Sequence, residues 1–265
     1  MMATKQVAKK KETELANMSM FEEDAGAGLE NLGQEDLALP FLKLLQKNNA
    51  TDFEDDDGRT AAPGDILNTV TGYIYSGKEG VRVIPCAYQR RWIEWSPIGD
   101  GQKAPVNIFM PNEPLPPHER SAEDNKEYIT DGNGHYLEDT HNHFVLVLDD
   151  DGTASSALIA MRSTGLKKSK KWNSMIASLV LQGAKGPFQP PRYSHIYLLK
   201  TAQEAGKNNY TWHNWEITRE GPVETTELYA QAKMFSESVS AGDVVVKHEK
   251  DEPFADDNSD GDVPF

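Results

Sequence analysis

The feature that most constrains the fold is a succession of β-branched and aromatic runs separated by Gly- and Asp-containing turns. Runs of this length and composition are typical of strands, and the short turns between them predict antiparallel hairpins. The runs pair into three predicted hairpins, and the second run is expected to bend at Pro85. The six predicted strands are residues 66–75, 81–95, 143–148, 155–162, 193–200 and 209–218.

Two helical patterns accompany these strands. Residues 167–181 place Trp172, Ile176 and other apolar side chains at helical spacing, and Gly183 follows them. Residues 225–235 form the second pattern. A helix between the second and third hairpins predicts a mainly β fold, namely an OB-like antiparallel barrel, and a mixed α+β sheet is the alternative.

Polar segments flank the predicted barrel. Residues 1–30 are polar and then acidic and Gly/Ala-rich, which predicts a flexible N-terminal arm. Residues 243–265 are predicted to be a disordered acidic tail, because they bury too little apolar surface to offset the entropy of ordering. The OB-like domain then spans 31–242. Within it, residues 96–139 are predicted to be a long loop rich in Pro, Gly and Asn.

The cysteine content and the hydropathy indicate the redox compartment of the chain and whether it crosses a membrane. Cys86 is the one cysteine, so no internal disulfide forms, as expected in a reducing cytoplasm. Its place in the apolar run 81–86 predicts a small buried side chain and not a nucleophile. No stretch approaches the roughly 18 apolar residues of a membrane span, so no membrane partner is expected.

Charge is distributed unevenly along the chain. The net charge is −15, yet residues 152–215 contain nine basic residues and one acidic residue, Glu204. Tyr, Trp and Phe residues are interleaved with these bases. Such a segment suits single-stranded nucleic acid, because cations follow phosphates and rings stack on unpaired bases. The alternative is that the rings fill the core and the lysines form a solvated face.

The predicted nucleic-acid contacts fall in two places. On strand 81–95, Arg90 and Trp92 share one face and Arg91 points to the other. In the basic segment, Trp172 suits either stacking or the core. The remaining predicted contacts to phosphates and bases are Arg162, Lys167, Lys168, Lys170, Lys171, Lys185, Arg192, Tyr193, Tyr197 and Trp212.

The sequence contains only weak signals for catalytic groups. His135, His141 and His143 lie close together, but a hairpin edge explains them better than a metal site. The Asp runs 55–57 and 149–151 each precede a glycine and are interpreted as solvated turns. No phosphate-binding loop or nucleophile elbow is present in the sequence. The protein is therefore predicted not to be an enzyme and to need no metal or other cofactor.

The C-terminal tip has the composition of a recognition peptide. Residues 251–265 contain six carboxylates and no base, and they end in Val-Pro-Phe. The terminal ring suits a small apolar socket, and the carboxylates around it suit Arg or Lys on a partner. A plain solvated acidic end is the alternative. The predicted partner-binding residues are Asp256, Asp257, Asp260, Asp262, Val263, Pro264 and Phe265.

This tip resembles the acidic tip of bacterial single-stranded DNA-binding proteins, although Gly261 interrupts the Asp run and the long Gly/Gln/Pro linker of that family is absent. The chain is more similar to single-stranded DNA-binding proteins of short-tailed phages, in which a barrel leads directly to an acidic tail ending in Phe. Residues 36–46 and 64–68 resemble the opening of those proteins. The resemblance implies an OB fold, work in the host cytoplasm, and roles in replication, recombination and repair, with transcription also open.

These observations predict a non-enzymatic protein that coats single-stranded DNA. The tail is expected to compete with DNA for the basic groove and, once displaced, to recruit replication, recombination or transcription proteins. Self-association is left open. One alternative is a metal-dependent nuclease that uses residues 149–151 and the histidines near 141. Another is a phage transcription or virion interaction protein.

Overall fold

The structure, a computed structural model, describes residues 18–31, 37–55, 58–149, 152–206 and 210–249. The chain divides into two units, residues 1–37 and 38–265. In the first unit, residues 18–23 are helical and are followed by turns, a local order that the sequence did not predict. The rest of this unit's predicted arm, residues 1–17, lies outside the described residues.

The second unit is mainly β, as predicted. Its helices are α1 (Gly165–Ala177) and α2 (Thr226–Ala241). Its strands are β1 (Leu42–Leu44), β2 (Ile66–Asn68), β3 (Ile74–Tyr75), β4 (Val81–Trp95), β5 (Asn107–Phe109), β6 (His118–Arg120), β7 (Glu127–Ile129), β8 (Tyr136–Leu148), β9 (Ala154–Met161), β10 (Leu181–Gly183), β11 (Gly186–Phe188), β12 (His195–Ala205) and β13 (Thr211–Pro222).

Most strands belong to one strongly curled antiparallel sheet, a half-barrel. Its order is β13-β12-β4-β8-β7-β6, with β5 also paired to β4 and β9 to β8. The strands β4 and β8 form its centre and pair from Arg82 opposite Leu148 to Trp95 opposite Tyr136. Among the described residues no ladder joins β9 to β13, and α1 packs across β8, β9 and β13. The helix therefore spans the open side of the curled sheet.

The two faces of the sheet carry separate apolar cores. On one face, Trp172 and Ile176 of α1 pack against Val83 of β4 and Val145 of β8. On the other face, α2 packs against a second cluster that includes Cys86. Burial raises the pKa of the Cys86 thiol to about 12, so this cysteine is a buried apolar residue, as predicted.

The turns predicted between strands are partly correct. The hairpins β8–β9 and β12–β13 are confirmed, and β4 has the expected irregularity between Pro85 and Ala87. The predicted hairpin of 66–75 with 81–95 is wrong. The side-chain oxygen of Asn68 accepts hydrogen bonds from the backbone of Val70 and Thr71, which turns the chain inside this β-branched run. The two halves become β2 and β3 in a small sheet with β1.

The predicted loop 96–139 is also wrong, because it contains β5, β6 and β7 and the first residues of β8. The start of β8 was not predicted from the sequence, because Glu138 and Asp139 are polar residues typical of loops. Their carboxylates are paired with Arg162 and Arg90, so the strand continues through a segment that looks like a loop by composition.

The ends of the helices differ from the predictions by several residues. The pattern over 167–181 forms α1 only as far as Ala177, because the chain then turns into β10. The helix α2 begins where Thr225 accepts a hydrogen bond from the backbone of Leu228, and it extends to Ala241, where Gly242 takes a left-handed conformation.

The beginning of the predicted acidic tail is packed and not free. Val244 and Val246 pack against the apolar cluster on the α2 face, and His248 is buried there. The remaining residues of the tail, 250–265, lie outside the described residues, and with them every predicted partner-binding residue. Packing therefore continues six residues beyond the predicted boundary at 242, as far as His248.

Candidate nucleic-acid interface

The most concentrated positive charge lies on α1. Helical spacing turns Ser169, Trp172 and Ile176 towards the sheet, where they are buried. Three lysines at the other helical positions, Lys167, Lys170 and Lys171, are exposed on the outer side of the helix. No acidic residue lies in the first turn of α1 to offset them, although a helix N-terminus favours negative charge. This arrangement suits an external anion.

A pair of rings, one exposed and one half-buried, lies at the end of the β12–β13 hairpin. Tyr210 is 50% exposed, and its ring stacks on that of Trp212 with centroids 6.0 Å apart and an interplanar angle of 26°. Residues two apart in extended chain share a face, which explains why the two rings meet. Tyr210 was not among the predicted site residues, although this spacing was visible in the sequence.

Glu204 joins the ring pair to the lysine helix. Its carboxylate lies 2.6 Å from the ammonium of Lys168 and accepts hydrogen bonds from Trp212 at 3.2 Å and Asn214 at 2.9 Å. Burial acts to raise the pKa of Glu204, but these donors outweigh it and the pKa is lowered. The ionised carboxylate therefore holds the N-terminal part of α1 beside the stacked rings.

A cleft runs between α1 and the β12–β13 hairpin next to this contact. It has a volume of about 170 Å³ and is lined by Lys168, Lys171, Trp172 and Trp215, among others. Glu216 also lines it, and the rings of Trp172 and Trp215 are buried, so the cleft offers two ammonium groups and one carboxylate.

The patch on β4 lies on the same face of the sheet. Arg90 forms a bidentate ion pair with Asp139 at 2.8 and 2.9 Å, and its guanidinium lies 5.5 Å from the ring centroid of Trp92. Burial lowers the pKa of His141, Asp139 acts against this, and the charges of Arg90 and Lys170 lower it further. Arg90 is the cross-strand partner of His141, and Lys170 directly follows Ser169, whose hydroxyl contacts His141.

Arg192 does not lie on the exposed surface formed by the lysines of α1. Its guanidinium donates to Asn173 and to His143, each at 2.9 Å, and it lies 5.6 and 5.9 Å from the ring centroids of Tyr88 and Trp172. Burial lowers its pKa to about 10. The prediction that Arg192 holds a surface phosphate is corrected accordingly: it is an interior cation that supports α1.

Four other predicted contacts lie elsewhere. Tyr197 is 1% exposed in the core, so it is not available for stacking. Tyr193 packs on Tyr229 of α2, on the opposite face of the sheet. Arg91 also points to that face, as its alternation with Arg90 predicted, and Arg162 pairs there with Glu138.

Two residues remain to be placed. Trp172 belongs to the core, since it is fully buried and stacks on His143. Lys185 is exposed in the turn between β10 and β11. The structure thus links Lys168 of α1 to Trp212 through Glu204, and it places Arg90 beside Trp92 on the face of the sheet that α1 covers. The predicted contacts outside these two groups and α1 lie elsewhere.

The candidate metal ligands are engaged otherwise. His135 lies 2.7 Å from Glu94, and both His141 and His143 are buried against Ser169 of α1. The hairpin-edge interpretation is therefore wrong for His141 and His143, which belong to the middle of β8, whereas His135 lies at the turn that joins β7 to β8. Within the described part of the chain, no group of three or more His, Cys, Asp and Glu side chains is arranged to hold a metal.

The fold and the site together define a mainly β half-barrel protein with a basic, aromatic face centred on α1. A family model described as Pam3 phage gp34-like protein matches residues 8–245, so this chain belongs to that bacteriophage protein family. The predicted phage origin is confirmed at this level. No curated protein and no solved structure matches the chain. Of the helices described, none is long and apolar enough to cross a membrane.

Proposed function

We propose that this phage protein binds single-stranded DNA along the face of α1. The observation that carries the proposal is the contact from Lys168 through Glu204 to Trp212, which places the lysine helix beside a partly exposed stacked ring pair. Phosphates need cations and unpaired bases need rings, and this contact places both side by side.

Each element of the face has a distinct role in this proposal. Lys167, Lys170 and Lys171 hold phosphates, and the Tyr210–Trp212 pair accepts a base. Stacking contributes about 1–3 kcal/mol per base and tolerates any base. A duplex hides the faces of its bases, so the ring pair favours single strands. Arg90 and Trp92 extend the proposed DNA site beyond His141, although Asp139 partly neutralises Arg90.

The acidic tail is proposed to recruit replication, recombination or transcription proteins and to compete with DNA. The described chain ends at Glu249, directly after His248, which contacts Asn142 on the α2 face. Sixteen residues follow Glu249. At about 3.3–3.6 Å per residue they span at most about 55 Å when fully extended.

No observation favours the nuclease alternative. Asp149 accepts a hydrogen bond from Tyr75, and the histidines near 141 are buried between β8 and α1. The two groups that such an enzyme would need are therefore not assembled in the described residues. Incubating labelled single strands with magnesium or manganese tests this point directly, since cleavage would support the enzyme.

Comparative binding measurements test the proposal. Fluorescence anisotropy with oligo-dT, a duplex and an RNA of equal length, each at 50 and 200 mM salt, should give tightest binding to oligo-dT and a loss of affinity with salt. Equal affinity for single strand and duplex would contradict the role of the ring pair. No measurable binding at low salt would remove the proposed function.

A truncation tests the role of the tail. Removal of residues 251–265 should increase affinity for oligo-dT at low salt and abolish capture of a host or phage replication protein. The matched control replaces only Val263, Pro264 and Phe265 by Ala, which keeps the charge and should abolish capture alone. Unchanged DNA affinity in the truncated chain would show that the tail does not compete.

A further inference from the structure

A hydrogen-bonded network buried between α1 and β8 has no part in the surface described above. The hydroxyl oxygen of Ser169 lies 2.7 Å from Nδ1 of His141 and 2.7 Å from Nε2 of His143. Nδ1 of His143 lies 2.9 Å from a terminal nitrogen of Arg192. His141, His143 and Ser169 are 3%, 0% and 0% exposed, so bulk solvent does not reach this network.

The geometry assigns every proton in this network. An arginine only donates, so Nδ1 of His143 accepts and its Nε2 carries the proton. That proton is donated to Ser169. The serine's own proton is assigned to Nδ1 of His141, because the opposite tautomer would point an unprotonated Nε2 of His141 at a carboxylate oxygen of Asp139. His141 is therefore also neutral, with its proton on Nε2. This N–H is 3.6 Å from a carboxylate oxygen of Asp139, beyond hydrogen-bonding distance, and it has no other partner in the described residues.

The surroundings oppose an added proton. From β4, Tyr88 and Arg90 face the two histidines, and from α1, Lys170 and Trp172 do so. Arg192 completes the enclosure from the segment before β12. Asp139 on β8 is the acidic group nearest to them, and it is already paired with Arg90. A second cation at His143 would place an N–H donor against a donor of Arg192.

We propose that this network is an acid-sensitive latch that holds α1 on the sheet only while both histidines are uncharged. Protonation of His143 opposes Arg192, and protonation of His141 leaves the Ser169 proton without a buried acceptor. Either event disrupts the buried hydrogen bonds through Ser169 that attach the helix carrying the lysine face to β8. Acid therefore undocks α1. If the proposed function is correct, undocking also separates the lysines from the ring pair and releases nucleic acid.

The direction of the pH dependence follows from the pKa values. Burial lowers the pKa of His143 well below its ordinary value, with Arg192 as the next cause, and burial is also the main cause of the lowered pKa of His141. The undocked state has ordinary histidines and takes up protons first. The docked state is thus fully favoured above about pH 6.5 and is lost progressively as the pH falls below it.

Nitrogen-15 NMR of histidine side chains in the full chain tests the proton assignment. At pH 7.5 both rings should be neutral with the proton on Nε2. Titration should then show loss of amide protection in α1 relative to β8 and β9 by at least tenfold between pH 7 and 5. A ring with its proton on Nδ1, or an α1 that stays protected while both histidines titrate, would overturn the latch.

Variants separate the latch from general acid sensitivity. The double substitution His141→Gln and His143→Gln should make α1 protection independent of pH over this range, whereas the control His248→Gln should keep the response. An unchanged response in the double variant would contradict the proposal. If that variant does not fold, the NMR titration of the unaltered chain is the deciding measurement.

Fluorescence anisotropy with oligo-dT at pH 7 and pH 5 tests the release of DNA separately. Undocking of α1 without release of DNA would reject the proposed DNA site and leave the latch.

Discussion

At the scale of single residues, Glu204 has the clearest consequence. It is the one acidic residue in the basic segment 152–215, and it binds both the lysine helix and the ring pair. Its charge opposes that of Lys168, so it reduces the positive field of the face while it positions the parts. The negative charge of Glu204 should weaken DNA binding, whereas its positioning of the helix and the rings should strengthen it. A substitution that removes the charge but keeps the hydrogen bonds separates these two effects.

The substitution Glu204→Gln should therefore strengthen binding to oligo-dT at 50 mM salt by about two- to fivefold, the size expected for one partly exposed ion pair. The amide oxygen can still accept from Trp212 and Asn214. The control is Glu237→Gln on α2, which removes the acidic partner of Lys233 and should leave affinity unchanged. Weaker binding in Glu204→Gln would show that positioning outweighs charge.

Tyr210 supplies a second test at this scale. The substitution Tyr210→Ala should weaken binding to oligo-dT by about 1–3 kcal/mol and change the free energy of unfolding by less than about 0.5 kcal/mol. The matched control is Tyr73→Ala, because Tyr73 is 58% exposed and lies in a ring pair with Tyr75 in the small sheet. Equal losses in both variants, measured by anisotropy, would argue against a specific stacking site.

At the scale of elements, α1 combines two incompatible surfaces. Its inner side is apolar and hydrogen-bonded to β8, and its outer side carries lysines within the first half of the helix. Like charges three and four residues apart, together with the helix dipole, destabilise an isolated helix of this sequence. Packing of Trp172 and Ile176 against the sheet must offset that cost. The structure therefore holds the cations in place and does not depend on the helix alone.

Substitution of Lys167, Lys170 and Lys171 together by Gln should lower the salt dependence of binding. Each phosphate contact to a single strand contributes about 0.7 to the slope of log affinity against log salt, so three lost contacts should reduce it by about 2. The helix should stay folded, or become more stable, because three repelling charges are removed. The control is the double variant Lys233→Gln with Lys247→Gln, which lies away from α1. An equal change of slope in that variant would contradict the assignment of phosphate contacts to the lysines of α1.

At the scale of the whole molecule, the sheet separates two surfaces. The lysine helix packs on one face, and α2 with residues 244–248 packs on the other. His248 is buried near Asn142 and Phe41, and burial, followed by the charges of Arg162 and Arg91, lowers its pKa to about 4. The segment that leads to the acidic tail is thus attached to the fold by a neutral histidine.

This attachment predicts an acid-dependent loss of stability. Because the pKa of His248 is lower in the folded state than in the unfolded state, the stabilisation is complete above about pH 6.5 and falls as the pH drops towards 4. Between pH 7 and 5 the loss should be on the order of 1–2 kcal/mol. Urea unfolding of the original chain and of His248→Gln at both pH values measures it, and an identical pH dependence in the two would show that His248 does not contribute.

The sequence predicted the elements better than their partners. The pattern of β12 and β13 was readable because apolar and aromatic residues alternate around a Gly-containing turn. The start of β8 was missed because Asp139 and His141 look like loop residues until Arg90 and Ser169 are seen beside them. The basic segment was found, but Arg192 and Tyr197 could not be told from surface residues, because composition does not report burial.

The sequence alone determined the mainly β class, the two amphipathic helices, the contrast between an acidic chain and its basic segment, and the acidic tip, since each depends on local spacing or composition. The tertiary structure decided which cations meet which rings and which polar groups are buried. Lys168 meets Glu204 and Trp212, and His141 meets Ser169, only because the curled sheet brings separate strands to one helix. Such contacts join residues distant in sequence, and no local pattern records them.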